Sequence, residues 1–211
     1  ARISRAKAQG AKLIVIDPRK SAVAEKADLW LRVRPGADGA LAMSMMHVLL
    51  EEKLYDESFV RDWTNGAFLM RPDNHQLLTA RDLSQSGDEK TFFVWDVRSN
   101  DLVSHCADQG YARGDVVPAL FGAHEITLAG GKLVVCRPAF DQLTKLAASY
   151  APERAEKLTS VPADDVRQAA RMFATETPSC YYSWVGLELH SDARQINRAV
   201  CTFYALTGQF D

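Results

Sequence analysis

Residues 12–19 read Lys-Leu-Ile-Val-Ile-Asp-Pro-Arg, and this stretch constrains the fold more than any other. Leu13, Ile14, Val15 and Ile16 form an unbroken apolar block in which three of the four residues are β-branched. A strand with one wet face alternates apolar and polar residues, whereas an unbroken block suits a strand covered on both faces, as in a parallel sheet. Pro18 has no N–H for a sheet ladder, and its ring restrains Asp17 to an extended conformation. The strand must therefore end near Asp17, leaving an Asp-Pro-Arg turn at its carboxyl end.

The flanking sequence continues the α/β pattern. Residues 2–9 favour a helix, and Gly10 suits the left-handed position just past its end. A helical turn at residues 22–26 precedes a second strand over residues 28–33. Pro35, Gly36 and Ala37 then make a turn, and Asp38 is placed to cap a long helix over residues 39–53, whose Leu41, Met45, Val48 and Leu49 recur at helical spacing. A short helix is expected over residues 57–63. From Phe68 to Pro138 the pattern changes to short strand-like runs, including residues 92–95, 126–128 and 133–136, with Ala129-Gly130-Gly131-Lys132 as a hairpin turn. Helices return over residues 140–150, from Pro162 onward, and over residues 192–206, the last ended by Gly208. The aromatic run at residues 179–185 reads as a strand that stops at Gly186, with a loop over residues 187–191 after it. The expected architecture is a Rossmann-like, doubly wound and mostly parallel α/β sheet, split as residues 1–66 and 139–211, with a β-rich lobe inserted over residues 67–138.

Composition narrows the function. The chain has 211 residues and a formal net charge of −2, with 47 % hydrophobic and 25 % charged residues. That balance carries no basic footprint for nucleic acid. Its apolar runs fall far short of the roughly 20 residues that span a bilayer, so no direct membrane insertion is expected. Cys106, Cys136, Cys180 and Cys201 are widely separated and form no CxxC pair, which argues for buried thiols rather than a zinc or iron–sulfur site. No HExxH, GxSxG, Walker or GxGxxG motif is present, leaving hydrolase, ATPase and ordinary dinucleotide-dehydrogenase readings without a signal.

Open α/β sheets bind ligands outside the carboxyl ends of their strands. Three segments are candidates: Asp17-Pro18-Arg19, residues 35–38, and the stretch from Gly186 to Asp192 with Glu188 and His190. Asp17 is placed to accept hydrogen bonds from a ribose, and the Arg19 fork to pair with a phosphate. The Asp38 carboxylate matches the paired N–H donors on a guanine edge, where adenine presents an acceptor. As a plain helix cap the same residue is worth only ~0.5–2 kcal/mol without any ligand. His190 is the one histidine in a candidate loop, placed to touch a substrate or cofactor. His47 falls within a helix, and His75, His105 and His124 in the lobe are expected at the surface.

Three segments together resemble the molybdopterin oxidoreductases of the dimethyl sulfoxide reductase family. The first is residues 12–19 continuing through Ala27-Asp28 to Arg34-Pro-Gly-Ala-Asp-Gly-Ala-Leu41. The second is residues 150–153 with residues 161–166 and Ala170-Arg171. The third is Gly186-Leu-Glu-Leu-His190 leading to Arg198 and Ala205-Leu-Thr-Gly208. The resemblance implies a cofactor-holding domain of a longer enzyme whose molybdenum or tungsten is carried by two molybdopterin guanine dinucleotides. It places Asp17 and Asp38 against ribose or guanine and the 186–190 loop toward the pterin. The 4Fe-4S cluster, the metal ligand and a capping domain are expected outside this segment, and the partners are the remaining domains and an electron-transferring iron–sulfur subunit. The segment alone is expected to be inactive. Ala37 departs from the Thr or Ser common in the family, and Asp192 and Gln209 stand where Asn is frequent. The readings left open beside this one are an adenine-nucleotide-binding central domain of a thiamine-diphosphate enzyme and a non-catalytic nucleotide-binding module.

Overall fold

The computed structural model describes residues 2–183 and 185–209. In chain order, helix α1 (Arg2–Ala8) leads to β1 (Ile14–Ile16), a 3₁₀ turn at Ala24–Lys26, β2 (Leu29–Leu31) and helix α2 (Asp38–Glu51). Gly10 lies at φ +97°, the left-handed geometry expected past the end of α1. Then come α3 (Glu57–Trp63), β3 (Leu69–Met70), α4 (Ala80–Leu83), β4 (Thr91–Asp96), β5 (Asp101–Cys106), β6 (Gly110–Tyr111), β7 (His124–Thr127), β8 (Leu133–Pro138) and α5 (Ala139–Ala148). The chain finishes with α6 (Pro152–Thr159), α7 (Ala163–Thr175), α8 (Val185–Glu188) and α9 (Ala193–Thr207). None of the described helices is long and apolar enough to cross a membrane. The chain divides into two compact units: Glu57–Lys145, and the segments on either side of it.

In the unit made by the flanking segments, β1 and β2 pair in parallel with Val15 opposite Trp30. This is the parallel α/β element that the apolar block predicts. It is a two-stranded sheet among the described residues, however, and Ile16 remains 44 % exposed rather than covered on both faces. The structural centre is α2. Leu41, Ala42, Ser44, Met45, Met46, Val48, Leu49 and Leu50 are all buried, so the helix is covered nearly all round instead of along one stripe. Helices α6, α7 and α9 supply the cover. Arg171 on α7 grips Glu52, just past the end of α2, with two hydrogen bonds of 2.8 Å. The Arg34 N–H donates to Thr159 O at 2.7 Å, tying the exit of β2 to the end of α6.

The strand expected over residues 179–185 does not form. Residues 179–183 are irregular, and Trp184 lies outside the described residues. Side chains tie down the start of this segment. Ser179 N–H donates to Gln209 Oε1 at 2.5 Å, Ser179 Oγ donates to Phe173 O at 2.8 Å, and Gln209 Nε2 donates to the same carbonyl at 3.1 Å. Gln209, the residue that departs from the family pattern, is thus what anchors this segment.

The Glu57–Lys145 unit holds two three-stranded sheets, in the orders β3-β8-β7 and β4-β5-β6, with every strand pair antiparallel. Gly131 turns the β7–β8 hairpin at φ +76°, as its sequence requires. Leu69, Leu78, Ile126, Leu128, Val134 and Cys136 form the core, against which Leu83, Phe93, Trp95 and Leu102 pack. Two histidines expected at the surface are drawn inward. His105 packs between Phe68 and Tyr111, and His124 stacks on Trp95 at 4.3 Å, with His105 Nδ1 and His124 Nε2 buried and unpartnered. Burial and the nearby Arg137 cation hold His124 below its usual range, so it stays neutral. The cysteines divide as well. Cys136 is buried and its thiol is pushed up to about 11, whereas Cys180 and Cys201 are exposed, contrary to the expectation of buried thiols.

Asp96 organises the turns beside β4. It is only 3 % exposed and accepts hydrogen bonds from Ser99 Oγ (2.7 Å), Val117 N (2.9 Å), Arg113 (3.0 Å) and Arg98 N (3.1 Å). These donors, the Ser99 hydroxyl first among them, hold its carboxyl far below the ordinary Asp range. A folded-state value below the unfolded one means the stabilisation is complete above the unfolded pKa near 3.8 and disappears as pH falls further. Urea midpoints followed by tryptophan fluorescence should therefore decline on acidification below about pH 5. Asp96→Asn should lower the midpoint at pH 7 and flatten that decline; an unchanged acid limb would remove Asp96 from this role.

Candidate functional site

The parallel pairing of β1 and β2 puts the turns that follow them side by side at the carboxyl edge. At the end of β1, Asp17 is held from three directions. Its N–H donates to Leu31 O at 3.2 Å, its carbonyl accepts from Trp30 Nε1 at 2.9 Å, and its Oδ1 accepts from the Arg19 N–H at 2.8 Å. The last of these closes a turn of the kind Asp makes readily. Among the described residues no donor reaches Oδ2. The Arg19 side chain is exposed, and Lys20 lies over the Trp30 ring with its Nζ 5.8 Å from the centroid.

Asp38 does not cap α2. The capping position is Ala37, which lacks a side-chain bond, and Asp38 is the first helical residue. Its carboxyl is half-buried. Desolvation raises its pKa above the usual 3.8, and the negative charge of Asp192 pushes the same way. Its own N–H, His190 and the Gly36 N–H pull against them. Among the described residues no side chain donates a hydrogen bond to it. An anionic acceptor has thus been taken out of water without a side-chain partner. That arrangement costs folding free energy and is typical of a group kept for a ligand.

His190, just past the short helix α8 that forms where a loop was expected, acts on this carboxyl through its charge. Gly186 and Glu188 lie exposed on α8, and His190 is half-buried in the turn before α9. The structure therefore brings Asp38, His190 and Asp192 within electrostatic reach of one another. Asp17 and Arg19 make a separate pair at the β1 turn. Asp192 adds negative charge beside Asp38 and makes no capping bond to α9.

Two residues of this region went unread in the sequence. Trp30 looks like one more apolar strand residue, and only the β1–β2 register carries its indole to Asp17. The Tyr181 hydroxyl is buried without a well-formed hydrogen bond, although Ser183 approaches it and Asp38 and Glu188 lie within electrostatic range. Burial is the main cause that raises its pKa. No signal in residues 179–183 distinguishes that hydroxyl from those of neighbouring aromatics. Among the described residues, no three His, Cys, Asp or Glu side chains converge to hold a metal ion.

Among the described residues, this α/β unit carries two acceptor carboxylates at the carboxyl edge of its parallel strands, Asp38 without a side-chain donor and Asp17 with Oδ2 unbonded, the edge at which open α/β sheets take ligands. Residues 1–211 match the family described as Molybdopterin oxidoreductase, and the chain belongs to that family. It is 33 % identical over 231 residues to perchlorate reductase subunit alpha of Dechloromonas aromatica, covering 98 % of this chain and 25 % of that protein. It is 32 % identical over 208 residues to dimethylsulfide dehydrogenase subunit alpha of Rhodovulum sulfidophilum, covering 96 % of this chain and 22 % of that protein. The fold matches acetylene hydratase from Pelobacter acetylenicus with a TM-score of 0.61 at 25 % identity, over 99 % of this chain and 19 % of that one. The chain thus spans about a quarter of the length of the curated relatives it matches. The family is one of molybdenum- or tungsten-pterin proteins, and both sequence relatives are named as one subunit among others. These matches lend no support to the thiamine-diphosphate or free-standing nucleotide-module readings.

Proposed function

We propose that this chain is the domain that holds the guanine-nucleotide end of a molybdopterin guanine dinucleotide in a longer molybdenum or tungsten oxidoreductase. The observation that carries the reading is the half-buried Asp38 carboxyl, raised in pKa and without a side-chain donor, at the edge where such sheets take their ligands. Its two oxygens match the N1–H and exocyclic amino group of guanine; adenine offers an acceptor at the equivalent of N1 and is repelled. Asp17 offers Oδ2, to which no described residue donates, as an acceptor for a ribose hydroxyl. Arg19 is available to a phosphate, and Gly186, Glu188 and His190 face the continuing part of the cofactor.

When bound, the metal–pterin unit supplies the two-electron or oxygen-atom chemistry. The residues of this chain bind and orient it. The metal ligand, a 4Fe-4S cluster and an iron–sulfur electron partner belong, in this reading, to other segments and subunits of the parent enzyme.

Isothermal titration of the chain with GDP and ADP tests the proposal. GDP should bind and ADP should bind at least about tenfold more weakly, the equivalent of one charge-assisted hydrogen bond. The guanine edge needs the ionised carboxyl. Because the Asp38 pKa is raised, affinity should be full at neutral pH and fall on acidification at a midpoint above 3.8. Equal affinity for the two nucleotides would remove the guanine assignment.

A further inference from the structure

Resting on that reading, we propose that Trp30 is a positioning residue. Its indole N–H, by holding the Asp17 carbonyl, aims Asp17 Oδ2 and so sets the preference of this site for ribose over deoxyribose.

The argument begins with what Asp17 lacks. It sits in a turn between an extended strand and Pro18, which contributes no N–H. Sheet pairing fixes only the Asp17 N–H, through Leu31 O at 3.2 Å. Beyond that atom the ladder ends: Pro18 keeps Asp17 extended, but within that range the carbonyl still turns about ψ and the carboxylate about χ1. Trp30 removes that freedom from the next strand. Parallel register places it opposite Val15, two residues before Asp17, and its indole spans the gap to donate at 2.9 Å. With the carbonyl held by Trp30 and Oδ1 by the Arg19 amide, Oδ2 is the oxygen to which no described residue donates, at a defined place. The half-buried Trp30 ring is itself steadied by Lys20 on its face. A tryptophan serves here because its single N–H sits on the edge of a rigid, half-buried ring with few rotatable bonds.

This division of labour separates two selectivities. Asp38 governs base choice, while Trp30 acts through Asp17 on the sugar. The test is a titration of GDP, 2′-deoxy-GDP and ADP into the wild-type chain, Trp30→Phe, Asp17→Asn and the double variant. Wild type should prefer GDP over 2′-deoxy-GDP by about tenfold, the worth of one hydrogen bond to a charged acceptor. Trp30→Phe should bring that ratio to within about twofold of unity while the GDP-over-ADP ratio stays, and it should add nothing in the Asp17→Asn background. A merely structural role would depress all three ligands together.

Exchange of the Arg19 amide gives a readout that needs no ligand: it should accelerate in Trp30→Phe while amides of α2 keep their protection. If phenylalanine unfolds the chain, benzothienylalanine placed at position 30 alone by stop-codon suppression replaces N–H with sulfur and keeps the ring shape. Retention of the ribose preference in either folded variant overturns the role of Trp30 and leaves the nucleotide reading standing. Absence of GDP binding by the wild-type chain overturns both.

Discussion

Asp38→Asn is expected to cost the chain about 1.5–3 kcal/mol of GDP affinity, roughly a ten- to hundredfold rise in Kd. The carboxylate offers two acceptors to the two N–H groups of guanine. The amide offers one acceptor and one donor, and the donor then faces an N–H. The same amide matches the donor–acceptor edge of adenine, so the variant should gain affinity for ADP as it loses GDP. Folding should respond in the opposite sense. A carboxyl whose pKa is raised by desolvation is less favourable in its ionised form in the folded chain than in the unfolded one. Its contribution to stability therefore falls as pH rises through the raised pKa. At pH 7 a neutral amide relieves that cost, so the melting temperature of Asp38→Asn should hold or rise. Weaker binding together with undiminished stability is the signature of a residue kept for a ligand. An unchanged GDP affinity in a folded variant would leave Asp38 as an ordinary first-turn carboxylate.

Leu49→Ala should have the largest effect on folding. Leu49 is 0 % exposed, on a helix whose buried positions face α6, α7 and α9. Truncation removes apolar contact and leaves a cavity that a helix enclosed on several sides cannot collapse to fill, at a cost of about 2–5 kcal/mol. For a unit of this size that is a fall of roughly 10–20 °C in melting temperature. Circular dichroism melts are the measurement, with Leu146→Ala as the comparison, since Leu146 is 55 % exposed and should move stability by no more than about 0.5 kcal/mol. Similar losses in both variants would mean that α2 is not the centre of its unit.

The two predictions draw on different kinds of information. The burial of Leu49 could be anticipated from apolar spacing along residues 41–50, because a helix repeats every 3.6 residues and the pattern is local. The same holds for the apolar block and Asp-Pro stop of β1, for Gly131 at the hairpin, and for α9 with Gly208 beyond it. Local rules also misled. The aromatic run at residues 179–183 has the composition of a strand, yet a strand needs a partner edge. The Ser179 N–H is bonded instead by the Gln209 side chain, 30 residues away. His105 and His124 look like surface residues by type, and only packing against Phe68, Tyr111 and Trp95 removes them from water.

The candidate site divides in the same way. Asp17, Arg19, Asp38 and the 186–190 stretch could be nominated from turn chemistry and from the family resemblance, both of which are written in consecutive residues. By itself the sequence determined the residue types at the edge, the helices with their apolar faces, and the family to which the chain belongs. Tertiary structure alone decided that Asp38 stands half-desolvated beside His190 and Asp192, that Trp30 reaches Asp17, and that the Tyr181 hydroxyl is buried. The reason is physical. Propensity and capping act over a few residues along the chain, whereas desolvation and hydrogen bonds across strands depend on register and packing between residues 13 to more than 150 positions apart.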